Sequence, residues 1–197
     1  MKICGQDLGK TKAHSAIVTI EVTNKIATVI DVIQFPVGTD LGAVESYTEQ
    51  YYKTNNIQKI VVDQTGMGEH TVENYKKHGL NIEGVKFTAD KKNDMINLVI
   101  SYGAKGTLKI PRRYEELIRQ LRMQRMNAGV GETIKYTEPS GDTDDQLWSL
   151  CLAVLGANPY MQAKLVTIAM SEVKSQVERE HWIGKKREET GLIFTER

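Results

Sequence analysis

The chain has 197 residues, enough for one ordinary domain with a full core, and 40% hydrophobic with 26% charged residues is the balance of a folded globular protein, which excludes wholesale disorder. Twenty-six Lys and Arg against 25 Asp and Glu leave a net charge of +1, so no global field steers the protein toward an acidic partner, and a nucleic-acid role must rest on local clustering. Cys4 and Cys151 lie far apart in apolar patterns and read as small buried hydrophobes of a reducing compartment, with no disulfide or zinc pattern; no signal-like N-terminus and no run of ~18 apolar residues occurs, so a cytosolic protein without a membrane span is expected.

Residues 2–7 form an apolar run, and 15–22 and 26–34 are rich in β-branched residues with Asn24-Lys25 between them as a hairpin turn, which predicts a three-stranded meander. Pro36, Gly38 and Asp40 break it, and Leu41, Val44, Tyr47 and Tyr51 recur at helical spacing. Residues 59–63 are a short apolar run ending in Asp, as a central parallel strand after a crossover helix should be. Gly66 and Gly68 open a helix over 69–78 that Gly79 closes, and 82–87 supplies another strand. A helix is expected from about 91 to 102, then a short extended Leu108-Lys109-Ile110 segment. Pro111 suits the first turn of the next helix, whose apolar face is Tyr114, Leu117, Ile118 and Leu121 and which Gly129 to Gly131 ends. Residues 133–136 are strand-like, and a strongly apolar helix is expected from about 142 to 155. Met161, Leu165, Ile168, Val173 and Val177 then form an amphipathic pattern before a charged end.

A meander followed by repeated helix-strand units defines an α/β fold with a mixed sheet, antiparallel at one side and parallel at the other, and helices on both faces. In open α/β sheets ligands gather at the carboxyl ends of the parallel strands. Asp63 ends such a strand, and Asp7 ends its expected neighbour. For either alone, a strand-end Asp that starts a turn by accepting from the backbone ahead is a sufficient explanation. A third acidic element, Asp142, Asp144 and Asp145, opens the apolar helix. One or two carboxylates there serve as caps and suit the helix dipole, whereas three within four positions exceed that need and repel one another unless a divalent cation shares them. Converging on one point, the three elements would suit two divalent ions that clamp the attacking and leaving oxygens of an in-line phosphoryl displacement.

The segments GQDLG, VVDQTGMGE and GDTDDQLWSLCLA resemble the three acidic motifs of the nuclease domain of viral large terminase subunits, which has a ribonuclease H-like fold. Residues 86–121 are similar to that family's Lys-opened helix, Gly-containing extended piece and helix after Pro. The resemblance covers residues 1–156 and leaves 157–197 as a C-terminal helical extension and charged tail. It implies an endonuclease that cuts double-stranded viral DNA concatemers during packaging, in the cytoplasm of an infected host, by two-metal phosphodiester hydrolysis with Mg²⁺ or Mn²⁺. An ATPase motor domain, a small terminase and a portal are the implied partners. Carried onto this chain, Asp7 would bridge both metals, Asp63 would hold one, and the Asp144-Asp145 pair would supply the helix-borne ligand, which makes Asp7, Asp63 and Asp145 the catalytic set. The family commonly has His where this chain has Thr143, and often Glu where it has Asp63, so which of Asp142, Asp144 and Asp145 ligates metal stays open. No Gly-rich phosphate loop ending in Gly-Lys-Ser/Thr occurs, so the chain is not expected to hydrolyse ATP.

DNA contacts are expected from basic segments near this point: Lys10, Lys12 and His14 in the first hairpin, Lys91 and Lys92 at a helix start that the dipole makes unfavourable for cations, and Lys105, Arg112 and Arg113. Lys91 is expected to face the phosphates. From Lys105 to Arg125 seven cations stand against two acids, either a solvated helix face or a phosphate track that steepens the salt dependence of binding. Two rivals remain. A RuvC-type Holliday-junction resolvase shares fold and chemistry and reads Asp142 and Asp145 three apart, and DLGKT echoes the first phosphate loop of actin-like nucleotide-binding modules, which need two related domains.

Overall fold

Alternation of apolar residues with period two builds the first strands, because successive side chains of a strand leave on opposite faces. In the computed structural model, which describes residues 1–9, 13–123, 125–128, 134–137 and 143–162, these are β1 (Lys2–Asp7), β2 (Ala16–Thr23) and β3 (Ile26–Gln34). Asn24 and Lys25 turn β2 into β3 with φ of 49° and 65°, the left-handed pair a tight two-residue hairpin requires. Asp40 caps α1 (Leu41–Thr54) by accepting from Ala43 N at 3.1 Å. There follow β4 (Lys59–Asp63), α2 (Gly68–Lys77), β5 (Ile82–Val85), and α3 (Ala89–Ala104), capped by Thr88. Then come β6 (Leu108–Lys109), α4 (Glu115–Met123), β7 (Arg125–Ala128), β8 (Ile134–Thr137) and α5 (Asp145–Gln162). Residues 1–161 form one unit. Among the described residues no helix is long and apolar enough to cross a membrane.

The main sheet has the order β5-β4-β1-β2-β3-β6. β1, β2 and β3 are antiparallel neighbours, whereas β4 and β5 continue β1 in parallel and β6 runs parallel to β3. The antiparallel meander thus lies in the middle, not at one side, because the two residues of β6 cover the otherwise open edge of β3. Ile3, Val18, Ile20, Val29 and Val61 pack against α3, α4 and α5 through Met95, Val99, Leu117 and Leu150. Cys4, Ile17, Ile60 and Val62 face the other way, toward Val72 and Tyr75 of α2. Helices therefore cover both faces, as expected of a sheet whose strands are apolar throughout.

Two glycines let α5 lie directly on the sheet. A Cβ on Gly5 would sit 1.9 Å from Ser149 O and 2.5 Å from Ala153 N, and one on Gly156 would sit 2.6 Å from Val61 Cγ2. Ser149 thus lies over Gly5 and Gly156 over Ile3, so α5 runs antiparallel to β1 and its N-terminus meets the end of β1.

Three expectations are corrected. Pro111 is not in the first turn of a helix: Tyr114 N donates to Pro111 O at 3.1 Å in a preceding turn, and α4 starts at Glu115. α4 does not run to Gly129, because Arg125–Ala128 pairs antiparallel with Ile134–Thr137, and a cross-strand partner overrides local helical pattern. α5 starts at Asp145 instead of 142 and continues past 155, with Pro159 in its final turn. Lys10, Lys12, Asp142, Gly129 to Gly131, and the pattern Leu165, Ile168, Val173 and Val177 lie outside the described residues.

Candidate active site

The parallel register pairs Gln6 with Val62, so the residues that follow, Asp7 and Asp63, are neighbours at the carboxyl edge of β1 and β4. The period of two that sends Ile3 and Val61 toward α5 sends these carboxylates the same way. α5 brings Asp145 in its first turn and Asp144 just before it. Ser149, fully buried, ties these elements together: its hydroxyl accepts from Asp7 N at 3.2 Å and lies 2.9 Å from Ala16 O and 2.8 Å from Asp145 O, either of which can take its single proton. Gln120 of α4 adds a second tie, its Oε1 accepting from Leu147 N at 3.0 Å and satisfying an amide that the start of α5 would otherwise leave open.

Like charges gather here. Burial pushes the Asp7 carboxyl well above the usual carboxylate range, and Asp63, Asp145 and Asp144, in that order of influence, push it further, while Lys92 opposes them. Among the described residues no hydrogen bond reaches the Asp7 carboxylate, and its recorded contact is through the backbone N–H. Asp63 is also raised, first by burial, against hydrogen bonds from Thr65 and the charge of Lys92. Thr65 N donates to Asp63 Oδ1 at 2.9 Å, so the turn-starting role of a strand-end Asp is present and coexists with its place in the cluster. α2 begins immediately beyond, with Gly68 so close that a Cβ would lie 1.9 Å from Asp63 O.

On the other flank, the Trp148 indole N–H donates to Asp144 Oδ2. The Lys92 ammonium lies 4.3 Å from the centroid of the Trp148 ring and 5.4 Å from that of Phe87, and the two rings pack 5.5 Å apart. Among the described residues no three His, Cys, Asp or Glu side chains stand closely enough together to hold a metal ion as they are placed. The donor set nonetheless fits a hard divalent cation, since it offers carboxylate oxygens whose mutual repulsion such an ion would relieve.

The structure therefore brings together Asp7, Asp63, Asp144, Asp145 and Lys92. Lys92, not Lys91, is the lysine whose charge reaches the acids, and Lys91 contributes its backbone N–H to the Thr88 cap. His14 lies at the same end of the sheet with Nδ1 donating to Phe35 O at 2.8 Å. Lys105 lies at the far end of α3, whose 16 residues span about 24 Å, and packs over Tyr102. Leu108 pairs with Ala27 at the start of β3, so Lys105 and Lys109 mark the end of the sheet opposite Asp7. Arg112 is exposed, and Arg113 stacks on Tyr114 and donates to Ile30 O beside β3. Ser149, Gln120 and Trp148 escaped the reading of the sequence. The trace they leave is slight: Trp148 and Ser149 each follow an Asp by four positions, one helical turn.

A mixed sheet of this order, with helices on both faces, is a ribonuclease H-like domain, here with acids gathered at the carboxyl edge of its central strands. Residues 4–156 match the family model described as the terminase RNaseH-like domain, and the chain belongs to that family. Solved structures share the fold. The large terminase nuclease from thermophilic phage G20c with bound magnesium superimposes with a TM-score of 0.69 at 17% identity, over 79% of this chain and 80% of that one. The large terminase nuclease domain of Thermus phage P74-26 gives 0.66 at 16% identity, over 78% and 77%. A mutant nuclease domain of the large terminase subunit of bacterial virus Sf6, with manganese and β-thujaplicinol, gives 0.62 at 10% identity, over 78% and 87%. No curated protein sequence matches the chain. The family match favours neither the junction resolvase nor the actin-like module.

Proposed function

We propose that this chain is a divalent-metal-dependent endonuclease, the nuclease part of a large terminase, which cuts double-stranded viral DNA concatemers during genome packaging. The observation that carries the proposal is the convergence of Asp7, Asp63 and Asp145 from two strand ends and one helix start, with the Asp7 carboxyl raised by burial and by the other acids. Residues 1–156 are the nuclease domain, and 157–197 are an extension to it. An ATPase motor domain, a small terminase and a portal are the partners the family implies.

Asp7 and Asp63 from the strand ends and Asp145 from α5 would hold the divalent ions. The chemistry that Mg²⁺ or Mn²⁺ supplies at such a site is acidification of a water nucleophile and neutralisation of charge on the leaving 3′-oxygen. The chain itself holds the carboxylates in register: Gly5 admits α5, Ser149 fixes the ends of β1 and α5, and Gln120 anchors the first turn of α5. Lys92 places a positive charge beside the acids, and His14 with the first hairpin borders the same edge, where a DNA backbone would pass.

The proposal is tested by incubating purified protein with supercoiled plasmid, linear DNA and a synthetic four-way junction in Mn²⁺, Mg²⁺ or EDTA. Metal-dependent, largely sequence-neutral cutting, lost in Asp7→Ala and Asp145→Ala, is the expected result. Paired nicks confined to the junction would replace the terminase reading with the resolvase, and cutting that persists in both variants would overturn the site.

A further inference from the structure

We propose that Trp148 is a positioning residue of this site, whose indole N–H holds Asp144 while its ring face holds Lys92, so that α5 presents Asp145 to Asp7. The inference rests on the nuclease proposal for its consequence in catalysis, but its geometry stands in the protein alone.

Trp148 is almost fully buried, packed against Phe87 and set one helical turn after Asp144. Its two chemical faces are used separately. The edge N–H is its one conventional donor, and it goes to Asp144 Oδ2. The π-face, negative by its quadrupole, lies 4.3 Å from the Lys92 ammonium. Lys92 needs such a holder, because it sits near the start of α3, close to the first turn of α5, and the positive ends of both helices disfavour a cation there. The aromatic pair Phe87 and Trp148 on one side and the acids on the other offset that penalty. The same arrangement distinguishes the adjacent aspartates. Asp144, just before α5, is engaged by the indole, and Asp145 opens α5 with its backbone carbonyl 2.8 Å from the Ser149 hydroxyl that also meets Asp7 N. A tryptophan on the same helix thus separates Asp144 from Asp145, two neighbours that the sequence alone does not tell apart.

The test has one readout that needs neither metal nor activity. Lysines of the metal-free protein are reductively methylated with ¹³C, and the Lys92 signal is assigned by its loss in Lys92→Arg. A ring-current upfield shift is expected in the wild type, largely kept in Trp148→Phe and abolished in Trp148→Leu. In Mn²⁺ titrations, Asp144→Asn should keep the affinity within about threefold, whereas Asp145→Asn should weaken it ~100-fold. In cleavage at saturating Mn²⁺, Trp148→Leu should lose about 10-fold or more and Trp148→Phe less than about threefold. Lys92→Met should cost ~10-fold in the wild type but under about threefold in Trp148→Leu, since the two residues act as one unit. An unshifted Lys92 signal, additive losses for Trp148→Leu and Lys92→Met, or an Asp144→Asn variant that weakens Mn²⁺ binding as much as Asp145→Asn would each overturn the proposal. A wild type that shows the shifted lysine but cuts no DNA with any metal would count against the nuclease reading alone, and the lysine signal and the Mn²⁺ titrations would still decide the positioning.

Discussion

Two aspartates of the central sheet meet opposite surroundings. On the α1 side, both oxygens of Asp31 are answered: Oδ1 accepts from Val32 N at 2.9 Å and Oδ2 from the Tyr51 hydroxyl at 2.9 Å. Because Tyr51 gives its proton to Asp31, its oxygen accepts from Thr19 at 3.0 Å, and Thr19 in turn accepts from the Cys4 thiol at 3.1 Å. Burial pushes that thiol up to about 12, which keeps it a donor. At the carboxyl edge, Asp7 has acids around it and, among the described residues, no donor to its carboxylate. Both are acids on buried strands, but Asp31 is an acceptor in a finished network and Asp7 is a charge to which other charges have been added. A partly buried carboxylate marks chemistry when its neighbours add to its charge instead of answering it.

The contrast breaks most sharply at Asp7. Asp7→Ala should abolish DNA cleavage, read by plasmid nicking, while Asp31→Asn leaves it measurable. Next in size is Gly5→Ala: its methyl would lie 1.9 Å from a backbone oxygen of α5, so the helix must shift, costing ~3 kcal/mol or more at the upper end of overpacking and moving Asp145 away from Asp7. Denaturant unfolding and cleavage should fall together in that variant. Tyr51→Phe should cost about 1–3 kcal/mol by leaving Asp31 Oδ2 without its donor and the Thr19 hydroxyl without its acceptor, with cleavage unchanged; a loss of cleavage would show that the two regions are not independent.

The smallest effect is on pH. The Asp7 carboxyl is raised above its ordinary 3.8 in the folded protein, so the folded state keeps a proton that the unfolded chain has released. Stability of the metal-free protein should therefore fall as pH rises from that ordinary value toward the raised one, and Asp63 contributes in the same direction. Asp7→Asn should flatten the decline and be more stable than the wild type at neutral pH, which thermal melts across pH 4 to 8 in EDTA would show. A wild type that gains stability across that window would contradict the crowding of charge.

Much of this was legible in the sequence where the signal is local. The period-two runs, the Asn24-Lys25 turn and the placement of Asp7 and Asp63 at strand ends need only neighbouring residues, and the strand limits follow within a residue or two. What failed to show depends on distant partners. The apolar spacing after Pro111 looks helical past Met123 because nothing nearby reveals that Arg125–Ala128 will pair with Ile134–Thr137. Lys91 and Lys92 are equivalent in sequence and are separated by one side chain, Trp148, which lies 56 positions beyond Lys92. Ser149 looks like one small residue in an apolar helix, and its role exists only because Gly5 lets that helix touch β1.

The most direct measurement is calorimetric titration of the metal-free protein with Mn²⁺, comparing the wild type with Asp7→Asn, Asp145→Asn and Asp31→Asn. Binding by the wild type and Asp31→Asn, with loss in both Asp7→Asn and Asp145→Asn, is the predicted result. Equal Mn²⁺ binding by all four proteins, or none by the wild type, would contradict the account.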